Sequence, residues 1–129
     1  MSDLITALRA KLDEVEQAAL NATPGPWSWA HRAGPHRYAL VSNAHPSQVV
    51  LPTSAPDVYP QRGDAQHIAL HSPDAVLAMV AAHRLLLDQF EELTNNRERM
   101  FDPALSLQWH LLHQVIETIA CGYRIEVTW

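Results

Sequence analysis

Asp64, His67 and His71 lie three and four residues apart, the interval at which side chains share one face of an α-helix. Two imidazoles at that spacing are what many zinc sites use, and a carboxylate one turn earlier supplies a third ligand or orients a ring. A second reading competes with the metal. Ser72-Pro73-Asp74, directly after His71, is a helix start: Ser as N-cap, Pro at the first helical position, an acid in the first turn. His71 then closes the preceding helix, where the negative end of the dipole favours an imidazolium. Helix-end structure is the default, and neither metal nor cofactor is expected. If zinc binds, Asp64, His67 and His71 are its ligands.

Trp27 and Trp29, two apart after Thr23-Pro24-Gly25-Pro26, could form one wall of a ligand pocket, since an indole offers area, a stacking face and one donor. The plainer reading is punctuation. Two prolines restrict the backbone, Gly25 permits a tight turn, and Trp27 covers the end of the preceding helix. His31, His36 and His45 with Arg32 and Arg37 make the following segment mildly basic, suited to an anion but by default a solvated surface. His83, His110 and His113 border apolar stripes and read as hydrogen-bonded edges of the core. Cys121 falls at a helix C-terminus, where the dipole disfavours a thiolate, so it reads as a small buried apolar residue.

These residues need elements to hold them. Leu4, Ile5, Leu8, Leu12, Val15 and Ala19 predict an amphipathic helix over residues 3–20, capped by Ser2. Residues 27–51 read as a three-stranded meander: Trp27 to His31, Tyr38 to Ser42 and Gln48 to Leu51. Pro52, Pro56, Pro60 and Gly63 mark 52–63 as a proline-rich loop. A helical section fills 64–120. In it, a two-turn helix precedes one whose apolar face fades at Asn95-Asn96, and a last helix begins at Asp102-Pro103 and ends on Gly122 as a left-handed cap. Residues 123–129 alternate Tyr, Ile, Val and Trp with Arg, Glu and Thr, which predicts a terminal strand added to the meander. The fold class is α+β, and 129 residues most simply make one domain.

Nine Lys and Arg against fourteen Asp and Glu leave a formal charge of −5. That argues against nucleic acid, whose binding needs cations to replace condensed counterions. One cysteine excludes an internal disulfide and suits a reducing compartment. No apolar run is long enough to span a membrane and no signal peptide is evident, so a cytoplasmic protein without membrane contact is expected. The chain contains no Walker A loop, GxSxG elbow, GxGxxG, HExxH or paired zinc-ribbon cysteines.

Thr23-Pro24-Gly25-Pro26-Trp27 followed by Gly63-Asp64-Ala65-Gln66-His67-Ile68-Ala69-Leu70-His71-Ser72-Pro73-Asp74-Ala75-Val76-Leu77 resembles a family of small actinobacterial and actinophage proteins of unknown function. It is loosely similar to the Ead-like phage accessory proteins. The resemblance covers about residues 3–93, and the C-terminal third departs from it. It implies a small bacterial or phage protein and carries over no catalytic residue.

Taken together, the residues suggest a non-enzymatic binding or adaptor module for an unknown protein or small molecule. Its binding residues would be Trp27, Trp29, His31, Arg37, Asp64, His67 and His71. Broad apolar faces over 76–93 and 105–119 suggest a homodimer. The alternatives are a small metal-dependent enzyme at Asp64, His67 and His71, completed by His110 or His113, and a nucleic-acid-binding protein using Arg32 and Arg37.

Overall fold

A computed structural model describes residues 2–31, 38–44, 48–52, 61–99 and 102–126. The periodicity beginning at Leu4 builds α1 (Ser2–Asn21), and the meander follows as β1 (Trp27–His31), β2 (Tyr38–Ser42) and β3 (Val49–Pro52). Three helices complete the order: α2 (Arg62–Leu70), α3 (Pro73–Arg99) and α4 (Pro103–Gly122). The class is α+β, as the switch from helical to strand periodicity and back requires. The chain forms two compact units, residues 16–78 and residues 1–15 with 79–129. The boundary falls inside α1 and inside α3.

The unit of residues 16–78 is built on an antiparallel sheet of order β1-β2-β3. Trp29 pairs with Leu40 and His31 with Tyr38 across the first ladder. A bulge between Leu40 and Val41 shifts the second ladder by one residue. The central strand β2 buries four consecutive residues, Ala39 to Ser42, so both of its faces are covered. Ser42 is the polar member of that run, and its hydroxyl donates to the Pro24 carbonyl, so the buried oxygen is satisfied.

Proline and glycine in Thr23-Pro24-Gly25-Pro26-Trp27 act on the backbone. The Gly25–Pro26 bond is cis, the Trp27 indole donates to the Thr23 carbonyl at 2.9 Å, and the Asn43 amide donates to the Pro26 carbonyl at 2.8 Å. A Cβ added at Gly25 would collide with the Asp74 carboxylate and stand 3.2 Å from Ser72 Cβ. A larger residue would have to displace the Asp74 carboxylate and crowd Ser72, so glycine suits the turn where it lies against the start of α3. There Ser72 is buried, donates its hydroxyl to Asp74, and its carbonyl accepts from the Val76 amide. The two motifs far apart in sequence are thus one packed corner.

The unit of residues 1–15 and 79–129 is helical. Ile5, Leu8 and Leu12 of α1, Val80, Leu87 and Phe90 of α3, and Ile116 and Ala120 of α4 are its buried apolar side chains. Arg9 pairs with Asp88 at 2.9 Å and Glu91 at 3.0 Å, and Arg84 with Asp13 at 2.6 Å. These pairs set α1 and α3 antiparallel in this unit, and Asp88 raises the Arg9 pKa further. Exposed pairs of this kind contribute about 0–1 kcal/mol each. Asp102 caps α4 by accepting from the Ala104 amide at 2.9 Å, with Pro103 following, as its sequence predicts.

Several expectations need correction. The helix containing Asn95 and Asn96 does not fade there but runs to Arg99. The weak helix aversion of asparagine is outweighed by contacts beside it, where the Trp109 indole donates to the Thr94 hydroxyl at 2.8 Å. The loop predicted for 52–63 is shorter: Pro52 ends β3, Arg62 and Gly63 begin α2, and residues 53–60 lie outside the described residues. Ser2 is the first helical residue rather than a preceding cap. Gly122 is still helical, and the left-handed residue is Arg124, with φ 59°. The Arg124 amide donates to Cys121 O and the Ile125 amide to Ala120 O, a Schellman closure with arginine where glycine is usual. That closure turns residues 123–126 back over the helix end, so they form no strand. The rest of the expected terminal strand, 127–129, lies outside the described residues. Cys121 is exposed rather than buried.

Candidate functional site

A strand shows alternate side chains on one face, so Trp29 and His31 of β1 point the same way. Tyr38, directly across from His31, joins them on that face. The Trp29 and Tyr38 rings stack with centroids 5.4 Å apart and planes inclined by 16°. His31 leans on Tyr38 at 4.8 Å and 46°. The Trp29 indole nitrogen donates to the Ala65 carbonyl at 2.9 Å. That bond ties β1 to α2 and fixes the ring.

Between this aromatic surface and α2 lies a cavity of about 400 Å³, lined by Trp29, His31, Tyr38, Arg62, Ala65, Gln66 and Ala69. Ala65 and Ala69 are small, which leaves the space open. Arg62 and Gln66 bring a cation and an amide to its rim. Among the described residues, no hydrogen bond or ion pair engages the Arg62 guanidinium or the Gln66 amide. Among the described residues no carboxylate lines the cavity, and Arg62 is the charged group at its rim.

The expected site residues divide. Trp29 and His31 line the cavity, whereas the Trp27 indole is used in its own turn. Asp64, His67 and His71 belong to the other side of α2. At ~100° per residue they cluster about 180° round the helix from Arg62, Ala65, Gln66 and Ala69. All three are exposed. The His67 and His71 rings stand 4.2 Å apart at 34°, and His71 Nδ1 is 2.8 Å from the His67 carbonyl. A carbonyl only accepts, so Nδ1 carries the proton and His71 caps its own helix. Among the described residues, no three His, Cys, Asp or Glu side chains gather as a metal site. Arg37, with Arg32, His36 and His45, lies outside the described residues.

A second cavity, of about 360 Å³, lies in the helical unit between Ile5, Thr6, Phe90, Glu91, Thr94, Asn95 and Trp109. Three of its polar side chains, Glu91, Thr94 and Trp109, are engaged. Thr94 Oγ1 accepts from Trp109 and donates to Phe90 O, and Glu91 pairs with Arg9. Arg97 lies 4.3 Å over the Trp109 ring, and His113 stacks on the same indole at 4.9 Å. His110 and His113 thus surround a tryptophan, and His83 pairs with the Tyr123 hydroxyl at 2.8 Å.

The model of a family of unknown function, DUF6221, matches residues 1–125. The chain belongs to the DUF6221 family. The match takes in α1 to α4 and the closure that follows α4. Searches of curated proteins and of solved structures return no match. Arg62, Gln66 and Tyr38 escaped the sequence reading. Their signal was the 62, 65, 66, 69 spacing on a short helix, which the chemically louder Asp64, His67 and His71 concealed.

Proposed function

We propose that this DUF6221 protein is a non-enzymatic binding module whose recognition site is the cavity between β1 and α2. The observation that supports it is the company of two stacked aromatic rings, an unengaged cation and an unengaged amide around one open space of about 400 Å³. Small-molecule sites fall in the range of about 300–1,000 Å³, with apolar walls and a few placed polar groups, and this lining has that make-up. Its groups are suited to holding a ligand: faces to stack on, one charge and one amide to orient it.

The protein acts as a homodimer in this reading. Ala104, Leu107, Leu111, Val115, Thr118 and Gly122 run down one exposed face of α4, with Leu107 62% and Leu111 57% accessible. The face carries no charge, so a two-fold axis, which sets this patch against the same patch of the other copy, brings no like charges together. The site reading is tested by titrating small aromatic compounds into the wild type and Ala69→Phe. Saturable binding at one site per chain, lost when the added ring fills the cavity, is expected. Binding unaffected by Ala69→Phe would contradict it.

A further inference from the structure

Building on the proposed binding cavity, we infer that its ligand is a flat aromatic ring bearing an anionic group, a phosphate ester or a carboxylate. The ring is required by the walls. Trp29, His31 and Tyr38 bring aromatic rings from one side, and Ala65 and Ala69 bring only methyl groups from the other, so most of this lining suits a flat ring better than an extended polar chain. The stack of Trp29 on Tyr38 is already fixed by the bond from Trp29 Nε1 to Ala65 O, and stacking on a preorganised ring costs little ordering. An indole face is also tolerant of which ring it meets.

The anion is required by the rim. Arg62 stands in the first turn of α2, exposed and without a hydrogen bond or ion pair among the described residues. Its guanidinium matches the geometry of a carboxylate or phosphate through paired N–H donors. The acid of the same turn, Asp64, lies on the opposite side of the helix and does not compete. Gln66, one turn along, adds an amide donor at the same rim. A bare inorganic anion would leave most of the ~400 Å³ unfilled and the aromatic faces unused, so ring and charge belong to one molecule.

The test is calorimetric titration of the full chain with two matched pairs, adenosine 5′-monophosphate against adenosine and indole-3-carboxylate against indole, with inorganic phosphate alone as a further probe. In at least one pair the charged member is expected to bind roughly tenfold or more tightly than the neutral one. The pair giving the tighter complex identifies phosphate or carboxylate. Inorganic phosphate should give no saturable heat. Arg62→Gln, at an exposed position, should bring that preference to about one and leave the neutral compound's affinity in place. Equal binding of charged and neutral members, blocked by Ala69→Phe, would overturn the anion and leave the cavity reading standing. A preference that survives Arg62→Gln would overturn the role given to Arg62. Absence of binding by all four aromatics would overturn both.

Discussion

At the residue scale, Gly25 and Arg62 show the two ways a side chain can matter here. Gly25 is needed for what it lacks, because a methyl group would meet the Asp74 carboxylate. Gly25→Ala is therefore expected to destabilise the protein by about 1–3 kcal/mol, the range for forcing atoms into a packed place, measured by urea denaturation. A midpoint equal to wild type would show that the turn and the start of α3 are not in contact. In the proposed site Arg62 acts through its charge, and among the described residues it makes no hydrogen bond or ion pair, so its substitution separates binding from folding. Trp29 cannot do so, since its loss also breaks the bond to Ala65 O. The residues most visible in the sequence were the histidines; of these, His71 caps α2, and His110 and His113 border Trp109. Residue type and spacing located α2, but which of its sides meets β1 depends on a strand far away in the chain.

At the element scale, the amphipathic faces of α1, α3 and α4 and the three strands were all legible, because each carries its own period and stops. The end of α4 was not. Alternation from Tyr123 to Trp129 resembles a strand, yet the Schellman closure around Arg124 competes with it locally and prevails over 123–126. Arginine at φ 59° holds a conformation that costs an L-residue about 1–2 kcal/mol. Arg124→Gly should accordingly stabilise the protein by up to about 1 kcal/mol after glycine's greater entropy loss, seen as a melting temperature a few degrees higher. A lower melting temperature would mean the arginine side chain contributes more than its backbone costs. Tyr123, at the same closure, pairs with His83, and burial pushes its phenol pKa up from 10.0. The folded state thus holds the proton to higher pH than the unfolded chain does. This contribution is complete below about pH 10 and is lost as the pH rises through the raised value. Tyr123→Phe should cost about 1 kcal/mol near neutrality through the lost hydrogen bond and remove part of the stability loss above pH 10, as read from melting at a series of pH values.

At the scale of the whole molecule, charge and apolar surface are unevenly spread. The chain is acidic, but among the described residues no acid lines the cavity, and α4 has one acidic residue, Glu117, in twenty. Among the described residues no helix is long and apolar enough to cross a membrane. In the proposed homodimer the exposed apolar face of α4 is covered by its own copy. Leu111→Glu would place a charge within the apolar face that the proposed dimer buries. Sedimentation at micromolar concentration should show wild-type dimers and variant monomers, and a monomeric wild type would refute self-association through α4. The division into two compact units was not legible, because α1 and α3 each run unbroken from one unit into the other and neither carries a linker signal.

The most direct measurement follows the four indole N–H signals, one for each tryptophan in the chain, in a ¹H–¹⁵N spectrum during titration with adenosine 5′-monophosphate. The Trp29 signal should move along a saturable curve while that of Trp109, which belongs to the other unit, holds still. A Trp29 signal that moves no more than that of Trp109, with this compound and with indole-3-carboxylate alike, would contradict a ligand site between β1 and α2.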